Sequence, residues 1–152
     1  MSQIRNCNIP DDLYYVVEKH IWARYDGELV TVGMTDVAQH LAHTFLSVTA
    51  KAVGRTVKKS KSIATVESSK WVGPVKSPIS GEIVAVNADL AKDATLINKS
   101  PYKAGWIVAM KPTDLAGELP SLVTGQAAVD AYRARIEAEN IKACVRIEGC
   151  EI

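Results

Sequence analysis

The sequence predicts a mainly β domain with short helices and one C-terminal α-helix, and three observations carry that expectation. Short apolar, often β-branched runs recur between His20 and Met110. They are separated by turn signals such as Asp26-Gly27, Val53-Gly54 and Ser80-Gly81, where glycine accepts a positive φ at no steric cost. Sustained helical spacing appears at Gly125 to Asn140, an Ala-, Glu- and Arg-rich stretch with Val129, Tyr132 and Ile136 three and four residues apart,. The chain has 152 residues, 47% of them hydrophobic, which suffices for one sizeable core. The expected division is a domain over 1–142 and a tail over 143–152.

Taken in order, His20 to Arg24 and Leu29 to Val32 flank Asp26-Gly27 and predict a hairpin,. A short helix follows: Asp36 and Gln39 stand at capping-box spacing, and Val37 and Leu41 share a face,. Thr44 to Val57 reads as strand, turn at Val53-Gly54, strand; Ile63 to Val66 and Ile83 to Val86 are further strands,. Between them, Glu67 to Pro78 contains Gly73-Pro74 and Pro78 and is expected to interrupt the ladder, since proline has no donor,. Trp106 to Met110 is another strand, stopped by Pro112,. The segments at 53–57 and 80–84 share a loose apolar-Gly pattern that hints at duplication,. The tail is expected to be an extra strand or disordered.

Eighteen basic and seventeen acidic residues leave a formal charge of +1, which does not call for nucleic acid or an anionic membrane as the main partner. The N-terminus lacks an apolar signal-peptide core and no run approaches a membrane span, so a cytoplasmic protein is expected; it is also expected to be monomeric. Three cysteines, Cys7, Cys144 and Cys150, do not make a disulfide framework,.

The informative segment runs Val66-Glu67-Ser68-Ser69-Lys70-Trp71-Val72-Gly73-Pro74, and continues to Pro78-Ile79-Ser80-Gly81-Glu82-Ile83-Val84. An apolar strand leads into a lysine among small polar residues, then a Gly/Pro break and a second strand. This places Lys70 at a protruding turn. By itself such a lysine is a solvated surface charge.

Around that segment the chain resembles the glycine-cleavage H-protein family from about Ile9 to Asn140. The resemblance rests on Pro10-Asp11-Asp12-Leu13, His20-Ile21-Trp22, Thr31-Val32-Gly33-Met34-Thr35-Asp36, Ala38-Gln39 with Leu41, and Glu67-Ser68-Ser69-Lys70. It continues through Pro78-Ile79-Ser80-Gly81-Glu82-Ile83-Val84, Asn98, Pro101-Tyr102 and Gly105-Trp106. It implies the flattened hybrid barrel-sandwich of lipoyl domains. It also implies lipoate in amide linkage on Lys70, with Glu67, Ser68, Ser69 and Trp71 as the flanks recognised by a lipoate–protein ligase or its equivalent. A lysine stem supplies half of a long flexible arm, the cofactor performs the chemistry, and tethering raises the local concentration of what it holds. Biotin carriers, the competing class, usually place Met on both sides of the lysine, whereas Ser69 and Trp71 stand here.

Some positions depart from the family's pattern. Trp71 stands where Ala is usual, and 42–51 lacks the family's Leu-Gly-Asp and Leu-Pro features. The combination Glu67 to Pro74 with Cys7-x-Ile9-Pro10 looks more like the H-protein-like lipoate-binding proteins of bacterial sulfur oxidation. That resemblance implies transport of sulfur intermediates for a heterodisulfide-reductase-like complex. The alternative is the glycine cleavage H protein itself, carrying an aminomethyl group between glycine decarboxylase and aminomethyltransferase. Neither role makes the chain an enzyme, and no nucleophile–base set is recognisable. Two other classes remain, an unmodified regulatory module and a thiol oxidoreductase using Cys144 and Cys150. The bland reading of those cysteines is two free thiols in a loose tail, with Cys7 inert. His40 and His43 could suit a metal but lack a third ligand, and His20 is read as structural. Lys51, Arg55, Lys58, Lys59 and Lys61 form either a docking patch for an acidic partner or a solvated face; nucleic acid is disfavoured by the lack of interleaved aromatics.

Overall fold

The computed structural model describes residues 2–147. Its strands are β1 (Ser2–Ile4), β2 (Cys7–Ile9), β3 (Tyr14–Val16), β4 (Ile21–Tyr25), β5 (Val30–Met34), β6 (Phe45–Ala50), β7 (Thr56–Val57), β8 (Ser62–Ser68), β9 (Val72–Lys76), β10 (Gly81–Val86), β11 (Val108–Pro112) and β12 (Val123–Thr124). The α-helices are α1 (Asp36–Ala42), α2 (Asp89–Lys92), α3 (Leu96–Lys99), α4 (Leu115–Glu118) and α5 (Gly125–Ala138).

A seven-stranded sheet in the order β12-β3-β4-β5-β11-β10-β7 faces a three-stranded sheet, β6-β8-β9, and β1 pairs with β2 apart from both. Ile63, Val66 and Val75 from the small sheet and Ile21, Val32, Ile83 and Met110 from the large one share a single buried cluster. Removing that apolar area from water holds the sandwich together. β4 is buried on both faces. Ile21 and Ala23 enter the inter-sheet core, while Trp22 points the other way into a second cluster with Tyr15, Tyr132 and Ile136 beneath α5. Trp22 lies opposite Gly33 on β5. A Cβ at Gly33 would come within 2.4 Å of the indole, so glycine is what admits the ring. The indole Nε1–H donates to the carbonyls of Met34 (3.0 Å) and Pro101 (2.9 Å).

The Asp26-Gly27 hairpin forms as expected, with Asp26 Oδ1 accepting from the amides of Glu28 and Leu29. Helix α1 also forms, but Thr35 is its N-cap: Thr35 Oγ1 accepts from the Ala38 amide, and Gln39 instead donates to Asp36. Three expectations need correction. The strands on either side of Val53-Gly54 do not pair with each other; β6 joins β8 and β7 joins β10. The Gly73-Pro74 segment is strand after all. β9 pairs with β8 alone, and an edge strand tolerates a residue without a donor. The third concerns the cysteines. Cys144 is disulfide-bonded to Cys7 across 137 residues, and both are buried. Neither the Cys144–Cys150 pair nor two free thiols describes it, and Cys7 is not inert. Cys150 lies outside the described residues. The chain after α5 is tied down further, since Asn6 donates to the Cys144 carbonyl (3.0 Å) and Arg146 pairs with Asp36.

Candidate functional site

The turn at Lys70 is built almost entirely by its neighbours. β8 ends at Ser68 and β9 begins at Val72. The Ser68 amide donates to the Trp71 carbonyl (2.7 Å), while Ser68 Oγ accepts from the amides of Trp71 (2.9 Å) and Lys70 (3.3 Å). Ser69 donates its amide to the Thr44 carbonyl (2.9 Å), which ties the turn to the chain leaving α1. A serine hydroxyl bonding two and three residues ahead is a common device for closing a turn. Ser68 is buried, whereas Ser69, Lys70, Trp71 and Glu67 are exposed. The backbone under Lys70 is therefore fixed while its side chain is left to solvent.

Trp71 is 41% exposed, yet its ring has a seat. A Cβ on Gly73 would meet the indole at 2.3 Å, so the ring lies across the glycine two residues on. Val72 and Leu46 are also exposed. Leu46 sits at the irregularity in the β6–β8 pairing, between partners of Ser68 and Glu67. Trp71, Val72 and Leu46 thus make an apolar rim where the lysine leaves the body. Single exposed hydrophobic residues are ordinary, but a group around a protruding lysine is informative.

From Lys70 and Trp71 a groove of about 430 Å³ runs between β9 and α1, past Ala38, Leu41 and Ala42. At its other end stand His20, Arg135 and Glu139. His20 Nε2 is 3.5 Å from Glu139 Oε2, whose other oxygen pairs with Arg135 at 3.1 Å. His20 Nδ1 is 3.4 Å from the Tyr132 hydroxyl. Burial pushes the His20 pKa below its ordinary value, and the Glu139 carboxylate opposes that shift only in part. The imidazole is then neutral near pH 7.

The five residues expected at the site are consecutive in the chain: Glu67 and Ser68 end β8, and Ser69, Lys70 and Trp71 form the turn before β9. Glu139 and Arg135 were missed from the sequence; their spacing of four on a helix was visible, but nothing local pointed it towards His20. Among the described residues there is no group of three or more His, Cys, Asp or Glu side chains that could hold a metal ion, around His40 and His43 or elsewhere. His40 Nδ1 instead accepts from the Val145 amide (3.0 Å). No helix among the described residues is long and apolar enough to cross a membrane. A lysine amine on a rigid turn, beside an apolar groove, can carry an acyl-linked arm and give it a surface to lie on. It fits an amide-linked group with a long aliphatic chain, as lipoate is.

Comparison with known proteins agrees. The family model for the glycine cleavage H-protein matches residues 13–135. The chain is 41% identical over 150 residues to a protein named probable glycine cleavage system H protein 2 of Sulfurisphaera tokodaii, covering 97% of this chain and all of that one. It is 42% identical over 142 residues to glycine cleavage system H protein 2 of Aquifex aeolicus, covering 93% and 88%. A crystal structure of a glycine cleavage system H protein from Mycobacterium marinum superposes with a TM-score of 0.72 at 32% identity, covering 82% of this chain and 98% of that one. Cys7 and Cys144 both fall outside the span that the family model matches.

Proposed function

The chain belongs to the glycine cleavage H-protein family, a family of lipoate carriers that are not themselves enzymes, and from that premise we propose that Lys70 is its attachment point. The observation that carries this reading is the Lys70 turn. Its backbone is held by Ser68 and by the Thr44 carbonyl, its side chain is exposed, and it opens on the groove. Ser68 and Ser69 set the geometry, and Glu67 and Trp71 are the exposed flanks read by a lipoate–protein ligase. Bound lipoate supplies a disulfide that opens to a dithiol and holds a transferable group. The protein's own residues position the arm, and the apolar walls of Ala38, Leu41 and Ala42 give its chain a place out of water.

The partners best supported are glycine decarboxylase and aminomethyltransferase, with an aminomethyl group as cargo. The second reading, a carrier of sulfur intermediates for a heterodisulfide-reductase-like complex, is favoured by one specific feature, the apolar rim of Trp71, Val72 and Leu46. Bulk at the base of the arm selects partners that have room for it. Several relatives carry ordinals within one organism, such as glycine cleavage system H proteins 2, 3 and 5 of Aquifex aeolicus, which leaves scope for copies with different partners. The proposal places the protein in the cytoplasm, where disulfides are uncommon; burial of Cys7 and Cys144 keeps thiols from attacking this one,.

Intact mass and peptide mapping after expression with a ligase should find one lipoyl group, on Lys70. A lipoyl group confined to Lys76, or biotin, would overturn the site. Glycine–bicarbonate exchange with purified glycine decarboxylase then separates the two roles. Rates equal to those of an authentic H protein support the first, and failure beside a working control supports the second.

A further inference from the structure

Trp71 follows the lysine directly, and its ring is held in a way that closing the turn does not require. Residues two apart on an extended chain share a face, so Trp71 stands on the side of Gly73 and the buried Val75. Gly73 has no side chain, and the indole covers it: a Cβ there would come within 2.3 Å of the ring. The rest of the ring stays open and borders the same groove that Lys70 lines. Val72, between them in the chain, is exposed and takes no part in the groove.

Across the groove the wall is α1. Ala38 and Ala42 are buried and small, and Leu41 is half-buried. The slot between ring and helix is therefore apolar on both sides. The charged residues of the groove lie just before β4, at the end of β9 and at the end of α5. An uncharged aliphatic chain ending in a five-membered disulfide ring, a dithiolane, matches these walls. Its methylenes leave water there, and sulfur makes favourable contact with an aromatic ring. A ring already fixed on a glycine seat loses little freedom in accepting the chain. Tethering favours the arm over any free occupant, because Lys70 borders the slot and holds the arm beside it at high local concentration,.

We propose that Trp71 is a binding residue for the lipoyl arm in its disulfide form. The seated indole and the face of α1 carrying Ala38, Leu41 and Ala42 make a slot that holds the resting arm. The slot shields the disulfide from soluble thiols until a partner draws the arm out. Attack on a disulfide needs access to one of its sulfurs, so a held arm reacts only during the fraction of time it is released. The inference deepens the carrier reading above and rests on Lys70 being the lipoylated residue.

The test uses the full chain lipoylated on Lys70, checked by intact mass, and an uncharged water-soluble phosphine. The phosphine attacks one dithiolane sulfur, the S–S bond breaks, and water yields the phosphine oxide and two thiols. Loss of the dithiolane absorbance gives the rate. A peptide of residues 66–78 bearing the same lipoyl-lysine is the unshielded reference. Wild type should react ~10-fold or more slowly than the peptide. Trp71→Phe should keep most of that protection, whereas Trp71→Ala and Gly73→Ala should react within about twofold of the peptide. Gly73→Ala unseats the ring without altering Glu67 to Trp71, so it decides the matter even where Trp71→Ala is not lipoylated. A wild-type rate equal to the peptide's overturns the inference, as does full protection in Gly73→Ala. Protection that vanishes on dilution assigns the slot to the arm of a second copy and also overturns it. If no lipoyl group is found on Lys70, the carrier reading fails and this inference with it; a lipoylated but unshielded arm overturns the inference alone.

Discussion

Removing the Cys7–Cys144 disulfide should lower stability far more than any single surface change. The bond links residues 137 apart in a chain of 152, so it closes nearly the whole unfolded chain into a ring. Loop-closure entropy for a ring of that size is about 5 kcal/mol at 25 °C. For a domain of this length each kcal/mol corresponds to roughly 2–4 °C in Tm. C7A/C144A should therefore melt about 10–20 °C below wild type, yet remain folded at 25 °C. Two features of the native state survive the substitution: the donation from Asn6 to the Cys144 carbonyl and the Arg146–Asp36 pair. The assay is thermal unfolding followed by circular dichroism, with and without a phosphine reductant. Reductant should leave the variant unchanged. It should act on wild type only once heating exposes the sulfurs, which are buried in the fold. A Tm shift below about 3 °C would refute the reasoning, because the bond would then not be constraining an open unfolded chain.

Lys70→Arg should abolish lipoylation, read by intact mass, while shifting stability by no more than about 0.5 kcal/mol, since the side chain takes no part in the turn,. Gly73→Ala should displace the indole that lies 2.3 Å from the added Cβ; the fluorescence of Trp71 should move towards the solvent-exposed range, and an unshifted spectrum would argue that the ring has no fixed seat. The His20 pKa is lowered in the fold, chiefly by burial. The unfolded chain therefore binds a proton there first, and stability is lost as pH falls through the unfolded value of about 6.5. Denaturant midpoints between pH 8 and 5 should fall less steeply in His20→Gln. The partly exposed His40 is also lowered, again chiefly by burial, so some slope should remain.

What the sequence made legible was local. Asp26-Gly27 announced its hairpin, and the spacing of Val129, Tyr132 and Ile136 announced α5, where all three are buried. Lys70 was found through a motif and lands on a turn, as the flanking strands required. What stayed hidden depends on contacts far apart in sequence. β6 and β7 look like hairpin partners because a glycine turn lies between them; tertiary pairing sends them to different sheets. Pro74 reads as a break until β9 is known to be an edge. No spacing rule joins Cys7 to Cys144, since connectivity cannot be read from cysteine positions. Short strands such as β1, β2 and β12 carry too few residues to show a period.

Attaching lipoate to Lys70 also alters the whole molecule's charge. An amide replaces an ammonium, so 18 basic residues against 17 become 17 against 17, and the formal charge falls from +1 to zero. Lys70 is among the groups that hold the His40 imidazole low, after burial and His43, and that contribution disappears with the charge. Loaded and unloaded protein should separate on an ion-exchange column. More consequentially, the lipoylated molecule is neutral but not uniform: Lys51, Arg55, Lys58, Lys59 and Lys61 fall in a stretch, from Asp36 to Glu67, that has no carboxylate between its ends. A neutral body with separated charge is turned by an external field rather than pulled by it. For the lipoylated form, long-range electrostatics acts through how charge is distributed rather than through its sum.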